Sequence, residues 1–305
     1  MQDTAETSTT LVLATQKGVD VSFSSADRTM SLDDYSERVL APAINNLAGA
    51  VAADIMNGTE GGVCNYVANV DGSGNILNPV ASTYLNAGAS LDSNSAPLGE
   101  RKVVNDPFTQ ARVVSSLAGL FNPVPEISRQ YKTGMMQQAL GFDWLMDQTV
   151  IKHTSGTFSA GTVSTAGQTG TTLLTNAITG TLAQGDIITI AGVYQVNRIT
   201  KTTTGNLRQF VVTAPAATGA TSISIYPAIT PAVGGVAVQY QTVTASPAPT
   251  AAITLVSPAS VTYRKNIVYA PQAVTMATAD LELPRGVHEA AREAFDGISM
   301  RMVTA

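Results

Sequence analysis

The chain has 305 residues, an acidic balance and few charges. Lys, Arg, Asp and Glu make up 13% of it, about half of the roughly 25% typical of soluble domains, and the net charge is −5 at pH 7. This acidic net charge argues against nucleic-acid binding through a broad basic surface, because such binding needs clustered Lys and Arg. The shortage of charge fits either extensive contact with other protein or a Thr- and Ser-rich secreted β-protein.

The single cysteine and the lack of long apolar runs narrow the class of protein further. Cys64 excludes a disulfide within the chain, and we expect it to be a small buried side chain. No charged and apolar leader begins at Met1, and no uninterrupted apolar stretch approaches 18 residues. The sequence therefore predicts a soluble, intracellular protein.

Residues 1–30 have the alternation of a β-hairpin. Leu11 and Leu13 alternate with polar neighbours, a turn is expected near Lys17, and apolar residues alternate again over 19–23. A lone two-stranded hairpin is marginal in water, and no third strand precedes the next element. We therefore expect the apolar face of this hairpin to rest on other protein, with a neighbouring subunit as a serious candidate.

A long amphipathic helix is predicted from Ser31 to about Met56. Ser31 and Asp34 have the spacing of a capping box, and acidic residues in the first turn suit the positive end of the helix dipole. Pro42 interrupts the helix at a cost of about 3 kcal/mol, so we expect a kink there. The apolar positions recur every three or four residues; they are Leu32, Tyr35, Val39, Ala43, Leu47, Ala50 and Ile55.

Residues 57–150 have a mixed α+β pattern. The predicted elements are a helix from about Val80 to Leu91, a strand from Lys102 to Val104, and a helix from Asp106-Pro107 through Leu117. Asp106 is the expected cap of the second helix, and Pro107 suits its first position. The only tryptophan, Trp144, follows in the segment FDWLMDQTV.

The composition changes abruptly from His153 to about Ser257. Thr, Ser, Gly and Ala dominate, and the charges are limited to Asp186, Arg198, Lys201 and Arg208. Short strands between turns predict a small β-barrel or sandwich; they are expected at Ile187–Ile190, Leu207–Thr213, Ile223–Tyr226 and Val236–Val243. Residues 154–180 show no alternation, and low-complexity disorder is the alternative there.

The last part returns to a mixed composition. Its predicted elements are a strand over Asn266–Thr278, a turn at Leu283–Gly286, and a strand in which Ile298, Met300 and Met302 alternate. Because this strand runs directly into Ala305, the chain is expected to have lost a continuation.

Residue patterns of catalysis are missing from the sequence. His288 begins the segment HEAAR, but a zinc-protease helix needs a second histidine where Arg292 stands. The glycine-rich stretch at 71–74 has Leu77 in place of the third glycine of a phosphate loop. Cys64 has no histidine partner in view. We therefore predict no catalytic, metal or cofactor site.

An ordered series of segments resembles the major coat proteins of short-tailed double-stranded DNA phages. The first is LVLATQKGVDVSFSSADRTMSLDDYSERVLAPAINNLA, followed by FNPVPEISRQYKTG and GFDWLMDQTVIKHT. The next are GDIITIAGVYQVN, GNLRQFVVTA and YQTVTASP, and the last is LELPRGVHEAAREAFDGISMRMV. The resemblance covers nearly the whole chain, and the order of the segments is more specific than any one of them.

The resemblance implies an α+β tailed-phage capsid fold with an inserted β-barrel domain. Residues 1–30 would be the E-loop hairpin, and 31–151 would hold the spine helix with the peripheral and axial domains. The inserted domain would span 152–257 and support monomer folding or contacts within and between capsomers, and 258–305 would return to the axial and peripheral domains. Relative to the family, an N-terminal arm and further C-terminal strands are expected to be missing.

The implied function is that of a structural, non-enzymatic protein of the virion. Many copies would form pentamers and hexamers of an icosahedral shell around packaged DNA, with a scaffolding protein and a portal as assembly partners in the host cytoplasm. Each E-loop would lie over the spine helix of the adjacent subunit. The candidate interface residues are Lys17, Asp20, Phe23, Asp27, Arg28, Tyr35 and Arg38. A solvated hairpin edge is the alternative for the charged residues among them.

Two other functions compete with this interpretation. The Thr- and Ser-rich module could be an adhesin or carbohydrate-binding domain, which would need surface aromatic residues; its aromatic residues are Phe158, Tyr194, Phe210, Tyr226 and Tyr240. A hydrolase would require His153 or His288 beside a carboxylate in a deep pocket.

Overall fold

The computed structural model describes residues 10–13, 15–22, 38, 41–116, 136, 138–295 and 298–304. The chain divides into two compact units: one comprises Met1–Val51 and Val274–Ala305, and the other is Ala52–Ala273. Every buried apolar side chain among the described residues belongs to the second unit.

The described residues contain helices α1 (Ala41–Glu60), α2 (Ala81–Ser93) and α3 (Pro107–Ser116), and a 3₁₀-helix at Pro271–Ala273. Asp106 caps α3 by accepting a hydrogen bond from the Phe108 amide at 3.2 Å, as the Asp-Pro pair predicts. The predictions for α2 and α3 are confirmed to within two residues at each end.

Helix α1 differs from its prediction. It continues to Glu60 rather than ending near Met56. Pro42 lies in the first turn of the helix as described, where its missing amide donor is tolerated. The predicted kink and the cap at Ser31 depend on residues 31–37, 39 and 40, which lie outside the described residues.

A four-stranded sheet and α2 and α3 enclose the first core. The strands are β1 (Lys102–Asn105), β2 (Gln138–Ala139), β3 (Phe142–Met146) and β11 (Ile267–Tyr269), in the order β11-β1-β3-β2. Strand β1 runs parallel to β3 and antiparallel to β11. Tyr84 and Trp144 lie at the centre of this core, with ring centroids 4.5 Å apart. Trp144 is thereby confirmed as a residue of the mixed α+β region.

The charge-poor module forms a closed antiparallel barrel. Its strands are β5 (Gly170–Leu174), β6 (Ile187–Val196), β7 (Thr203–Val212), β8 (Ser222–Ile229) and β9 (Ile253–Leu255), in the order β5-β8-β7-β6-β9. The segment 160–163 joins the two edges, because Thr162 bridges to Ala252 beside β9 and Val163 to Thr175 beside β5. Sixteen buried apolar side chains fill the interior, including Leu173 and Phe210. Closure leaves the barrel without an open edge.

Two short strands connect the barrel to the rest of its unit. Strand β4 (Lys152–Thr154) enters the barrel and β10 (Thr262–Arg264) leaves it, and the two pair antiparallel with His153 opposite Tyr263. Beside them, the amide of Lys265 donates to the carbonyl of Ile151 at 3.0 Å. The chain therefore enters and leaves the barrel at one place.

The unit that contains the C-terminal residues has one hairpin among its described residues. Strands β12 (Glu289–Phe295) and β13 (Ile298–Thr304) pair antiparallel. Arg292 lies on β12, donates to the carbonyl of Leu281 at 3.2 Å and forms an ion pair with Asp280 at 3.7 Å. The predicted strand with Ile298, Met300 and Met302 is present, whereas its partner β12 was missed.

Several strand predictions were wrong. Residues 10–13 and 15–22 form no strand, as expected of a hairpin that lacks a partner. No strand spans 236–243, where Gly234 and Gly235 open a turn instead. The strand predicted over 266–278 is limited to β11, because Pro271 cannot donate to a ladder. The disorder alternative for 154–180 was also wrong, since this stretch supplies β5 and part of the barrel core.

Candidate subunit interface and barrel junction

The amino-terminal described segment exposes its apolar residues. Leu11, Val12 and Leu13 are 58%, 73% and 55% exposed, and Val19 and Val21 are also exposed. Of the predicted interface residues, Lys17, Asp20 and Arg38 lie on the surface. Phe23, Asp27, Arg28 and Tyr35 lie outside the described residues, so their roles stay predictions.

Helix α1 has a half-buried apolar stripe and no buried residue. The half-buried positions include the predicted Ala43, Leu47, Ala50 and Ile55, and Ile44 is exposed beside them. An amphipathic helix that packs on a domain core usually buries such a stripe. On α1 the stripe remains accessible over about 30 Å of helix length, given 1.5 Å per residue.

A cluster of four titratable side chains lies where the barrel meets the end of α1. We call Glu60, His153, Asp186 and Lys265 the junction cluster. Glu60 is the last residue of α1, His153 the middle residue of β4, and Asp186 the residue before β6, while Lys265 lies between β10 and β11. Four separate stretches of chain therefore meet here.

Asp186 is held by backbone amides inside the cluster. Its side chain is fully buried, and its Oδ2 accepts hydrogen bonds from the amides of Gly156 at 3.0 Å and Ala183 at 2.7 Å. Its Oδ1 lies 2.9 Å from His153 Nε2. These hydrogen bonds satisfy the buried carboxyl group and fix its position.

His153 lies between two carboxylates. Its ring is buried, its Nδ1 is 2.7 Å from Glu60 Oε1, and its Nε2 contacts Asp186. The ring of Tyr263 meets it edge-on, with centroids 5.4 Å apart. Both ring nitrogens therefore face carboxyl oxygens of the same chain, so neither is open to a substrate.

Lys265 completes the cluster from the opposite side. Its Nζ donates to the carbonyl of Gly185 at 2.6 Å and lies 3.7 Å from Glu60 Oε1. Burial lowers the pKa of Lys265, and the two carboxylates of the cluster oppose this effect. Gly185 has φ +88°, and a Cβ there would lie 2.5 Å from Glu60 Cγ, so only glycine suits this position.

The nearby tyrosines are also shielded from water. Burial raises the pKa of Tyr263 to about 12, and it also raises the pKa of Tyr66. The two rings pack against each other with centroids 5.9 Å apart. Aromatic side chains thus shield the junction cluster from water.

A second polar contact holds the outer face of the barrel. Arg208 on β7 is buried; its Nη1 donates to Asn94 Oδ1 at 3.0 Å and its Nη2 to Cys64 Sγ at 3.4 Å. Burial lowers the pKa of Arg208 and raises the pKa of the Cys64 thiol. Cys64 packs on Ile187 and Val211, which confirms it as a small buried side chain.

A cavity of about 220 Å³ lies between the last turn of α1, residues 63–79, α2 and β11. Its wall is mostly apolar and includes Tyr84 and Leu91, with Glu60 and Lys265 at one end. His153 does not line it. The hydrolase interpretation required a histidine in a deep pocket, and His153 lies beside carboxylates but outside this cavity, while His288 is exposed.

Neither a metal nor a membrane site stands out. In the part of the chain that the structure describes, no group of three or more His, Cys, Asp and Glu side chains has a geometry that could hold a metal ion. Likewise, among the described residues no helix combines the length and apolar character needed to cross a membrane.

Sequence interpretation found only part of the junction. It singled out His153 as a boundary residue and noted Asp186 and Arg208 as rare charges in the module, but it assigned none of them a role. The signal was available, because a charge retained in a charge-poor stretch and placed beside a buried strand is costly unless paired. Glu60 gave no signal, since a glutamate after a predicted helix is commonplace.

Comparison with known proteins identifies the chain. No curated protein matches it. Among solved structures, the CUS-3 coat protein I-domain is 32% identical, and the match covers 32% of this chain and 94% of that one with a TM-score of 0.26. The family model described as P22 coat protein, gene protein 5, matches residues 5–305. The chain therefore belongs to the P22 coat protein family and is a major capsid protein of a tailed phage.

Proposed function

We propose that subunits of this coat protein join through the segment 10–22 of one copy lying over helix α1 of its neighbour. The apolar residues exposed in the segment and the accessible stripe on α1 support the proposal, because each leaves apolar area in water that the contact would remove. Membership of the coat protein family implies that many copies assemble into a capsid.

The charges near this contact would set its register. Lys17 and Asp20 lie on the exposed segment, and Arg38 lies just before the described start of α1. We extend the same role to four residues outside the described part, Phe23, Asp27, Arg28 and Tyr35. Charged groups at the rim of an interface contribute more to orientation and association rate than to affinity.

We further propose that residues 152–257 form an inserted domain that supports the folding of each subunit. The host would be the tailed-phage capsid fold, with spine helix, peripheral and axial domains over 31–151 and 258–305 and the E-loop over 1–30. The closed barrel with sixteen buried apolar residues supports this division. Its anchoring at the junction cluster would hold the last turn of α1 in place, and the contact of Arg208 with Asn94 would hold the end of α2.

The remaining partners follow from the role in a shell. We propose pentamers and hexamers, assembled in the host cytoplasm with a scaffolding protein and a portal, around DNA that the wall does not bind by sequence. The net charge of −5 suits a wall that repels its cargo. The adhesin alternative has no support in the family match, and two of its five aromatic residues, Phe158 and Phe210, belong to the barrel core.

The subunit contact can be tested with a matched pair of leucines. Leu11 is 58% exposed in the amino-terminal segment, and Leu98 is 84% exposed before β1. Leu11→Asp should leave the unfolding of the monomer unchanged but reduce the yield of shells at least tenfold in sedimentation and negative-stain microscopy with a scaffolding protein present. Leu98→Asp should assemble normally, because it lies outside the proposed contact.

Normal shell yield from Leu11→Asp would overturn the proposed contact. Equal losses from both variants would show that any added surface carboxylate disturbs assembly. Failure of the unaltered chain to form anything larger than monomers would contradict the shell role itself.

A further inference from the structure

Two loops lie together at the end of the barrel away from the junction cluster. Strand β6 begins next to Asp186 and ends at Val196, so the turn that follows it is at the far end. Strands β6 and β8 both pair antiparallel with β7, so the loop after β8 is at the same end. We call these two loops, 197–202 and 230–242, the barrel tip.

Hydrogen bonds hold the barrel tip in one conformation. Asn197 Oδ1 accepts hydrogen bonds from the amides of Ile199 at 2.8 Å and Thr200 at 3.1 Å. The Nζ of Lys201 donates to the carbonyl of Gln239 at 2.7 Å and so joins the turn to the second loop. A surface that is ordered before it binds loses less conformational entropy on binding.

The barrel tip exposes large apolar side chains. Ile199 is 82% exposed, and Val233 and Val236, on either side of a two-glycine turn, are each 69% exposed. Among the described residues, the other loops of the barrel expose no large apolar side chain; they span 164–169, 175–186, 213–221 and 244–252. Apolar side chains gathered at one end of a domain are typical of an interaction surface.

The accessible charge of the barrel is at the same end. Of the Lys, Arg, Asp and Glu side chains from 153 to 257, Asp186 and Arg208 are buried. The other two, Arg198 and Lys201, lie on either side of Ile199 in the turn of the tip. The barrel tip therefore combines an apolar centre with two cations.

The hairpin of β12 and β13 has one face of complementary composition. Its register places five exposed side chains on this face: Glu289, Ala291, Glu293, Met300 and Met302. On the opposite face, Arg292 and Arg301 donate to the carbonyls of Leu281 and Glu282. A two-stranded hairpin is marginal in water, so cover on its second face would stabilise it. This face combines an apolar centre with two anions, and methionines adapt easily to a partner.

We propose that the barrel tip of one copy binds this face of the β12–β13 hairpin in another copy. Apolar side chains would meet at the centre, with Arg198 and Lys201 opposite Glu289 and Glu293. None of these four side chains forms an ion pair with a described residue.

The partner is a second copy because a coat protein packs against copies of itself. A contact between two different surfaces can also repeat around a closed ring. The proposal does not depend on the segment 10–22 lying over α1.

Charge reversal tests the contact in the full-length chain. Arg198→Glu should slow shell formation about tenfold at low salt, because opposite charges speed association. Adding Glu289→Arg or Glu293→Arg should restore the rate, and salt at about 1 M, where the Debye length is about 3 Å, should remove the defect. Light scattering with a scaffolding protein present follows the rate, and urea unfolding checks each monomer.

Lys152→Glu is the matched control for Arg198→Glu. It makes the same change of charge at an exposed residue of β4, beside the junction cluster and away from the tip. We expect it to assemble at the unaltered rate. An equal defect in this control would overturn the proposal, as would failure of both double variants to recover while their monomers fold normally.

Cross-linking gives a second measurement that leaves the hairpin unaltered. Arg198→Lys keeps the charge and adds an amine that a carbodiimide can join to a carboxylate. In shells assembled from a mixture of ¹⁴N- and ¹⁵N-labelled copies, mass spectrometry should find this amine joined to Glu289 or Glu293 of a differently labelled copy. Cross-links only within one copy, cross-links only to the scaffolding protein, or none at all would overturn the proposal. If the double variants do not fold, the cross-links decide the question.

Discussion

The inserted barrel buries its apolar side chains, whereas helix α1 leaves its apolar side chains partly exposed. The barrel buries sixteen of them in an interior that its own strands close. Helix α1 has twenty residues and buries none. The barrel is thus stabilised by contacts within about a hundred residues of chain, whereas the stripe on α1 is only partly covered by its own subunit.

This difference suggests a division of roles, in which one set of residues determines the stability of the monomer and another determines its assembly. Substitutions in the barrel core should act on the folding of the monomer, and substitutions on the stripe of α1 should act on contacts between copies. A capsid subunit benefits from this division, because a folded monomer must exist before it joins a lattice whose individual contacts are moderate.

The largest expected effect compares two leucines. Leu173 is fully buried in the barrel, and Leu47 is half-buried on α1. Leu173→Ala should reduce the free energy of unfolding by about 2 to 5 kcal/mol, because it leaves a cavity in a closed core. Leu47→Ala should reduce it by less than about 1 kcal/mol, because little of its area is removed from water. Urea unfolding of the monomer measures both.

Shell yield should show the reverse order for the same pair, once Leu173→Ala has been folded at low temperature. The comparison between barrel and helix would fail if Leu47→Ala destabilised the monomer as much as Leu173→Ala. That result would mean that α1 already packs within its own subunit.

Substitutions at two glycines should change the stability of the monomer by intermediate amounts and in opposite directions. A Cβ on Gly156, beside the junction cluster, would lie 2.0 Å from the carbonyl oxygen of Thr181, whereas one on Gly49 of α1 would meet nothing within 4 Å. Gly156→Ala should destabilise the monomer by about 3 kcal/mol, since backbone must shift. Gly49→Ala should stabilise it by about 0.5 to 1 kcal/mol, because alanine favours the helix.

Thermal unfolding of the two variants beside the unaltered chain measures this pair. A stabilising Gly156→Ala would contradict the close approach at the barrel base. A destabilising Gly49→Ala would show that the open side of α1 is covered in the monomer.

The smallest effect concerns Cys64, which packs against the outer face of the barrel. Burial raises the pKa of this thiol, so the folded chain binds its proton more tightly than the unfolded chain. Stability should therefore fall by about 1 kcal/mol between pH 8.5 and 9.5. Lys265, whose pKa burial lowers, acts in the opposite sense.

The Cys64→Ala variant isolates the contribution of the thiol, because Lys265 is common to both chains. The difference in free energy of unfolding between the two should change with pH only above about 8.5, the ordinary value for a thiol. A difference independent of pH would show that the thiol is exposed to solvent in the folded chain.

Local signals were sufficient for α2, α3 and three of the long strands, but not for β12. The cap at Asp106 and the proline after it located α3, and alternation located β6, β7 and β8, although each strand is longer than predicted. Strands β4, β9 and β10 were missed because three residues carry no measurable periodicity. Strands β4 and β10 pair across more than a hundred residues of chain, which no local pattern encodes.

The junction cluster was hidden for the same reason. Glu60, His153 and Asp186 are far apart in the chain, and each has an ordinary local explanation: a helix end, a domain boundary and a turn. Their meeting depends on the closure of the barrel and on the approach that Gly185 permits. The interface residues differ, since Lys17, Asp20 and Arg38 were chosen by resemblance and the contact proposed for them is with another copy.

The chain enters the barrel at β4 and leaves it beside this point at β10. The barrel therefore has the geometry of an exchangeable domain, or cassette. Since Ile151 and Lys265 are already hydrogen-bonded, a different domain with adjacent termini could be grafted there without displacing the host strands. The graft would have to supply a carboxylate in the position of Asp186, or replace His153 and Glu60 together. Variation in the size and surface of such cassettes would leave the host strands unchanged.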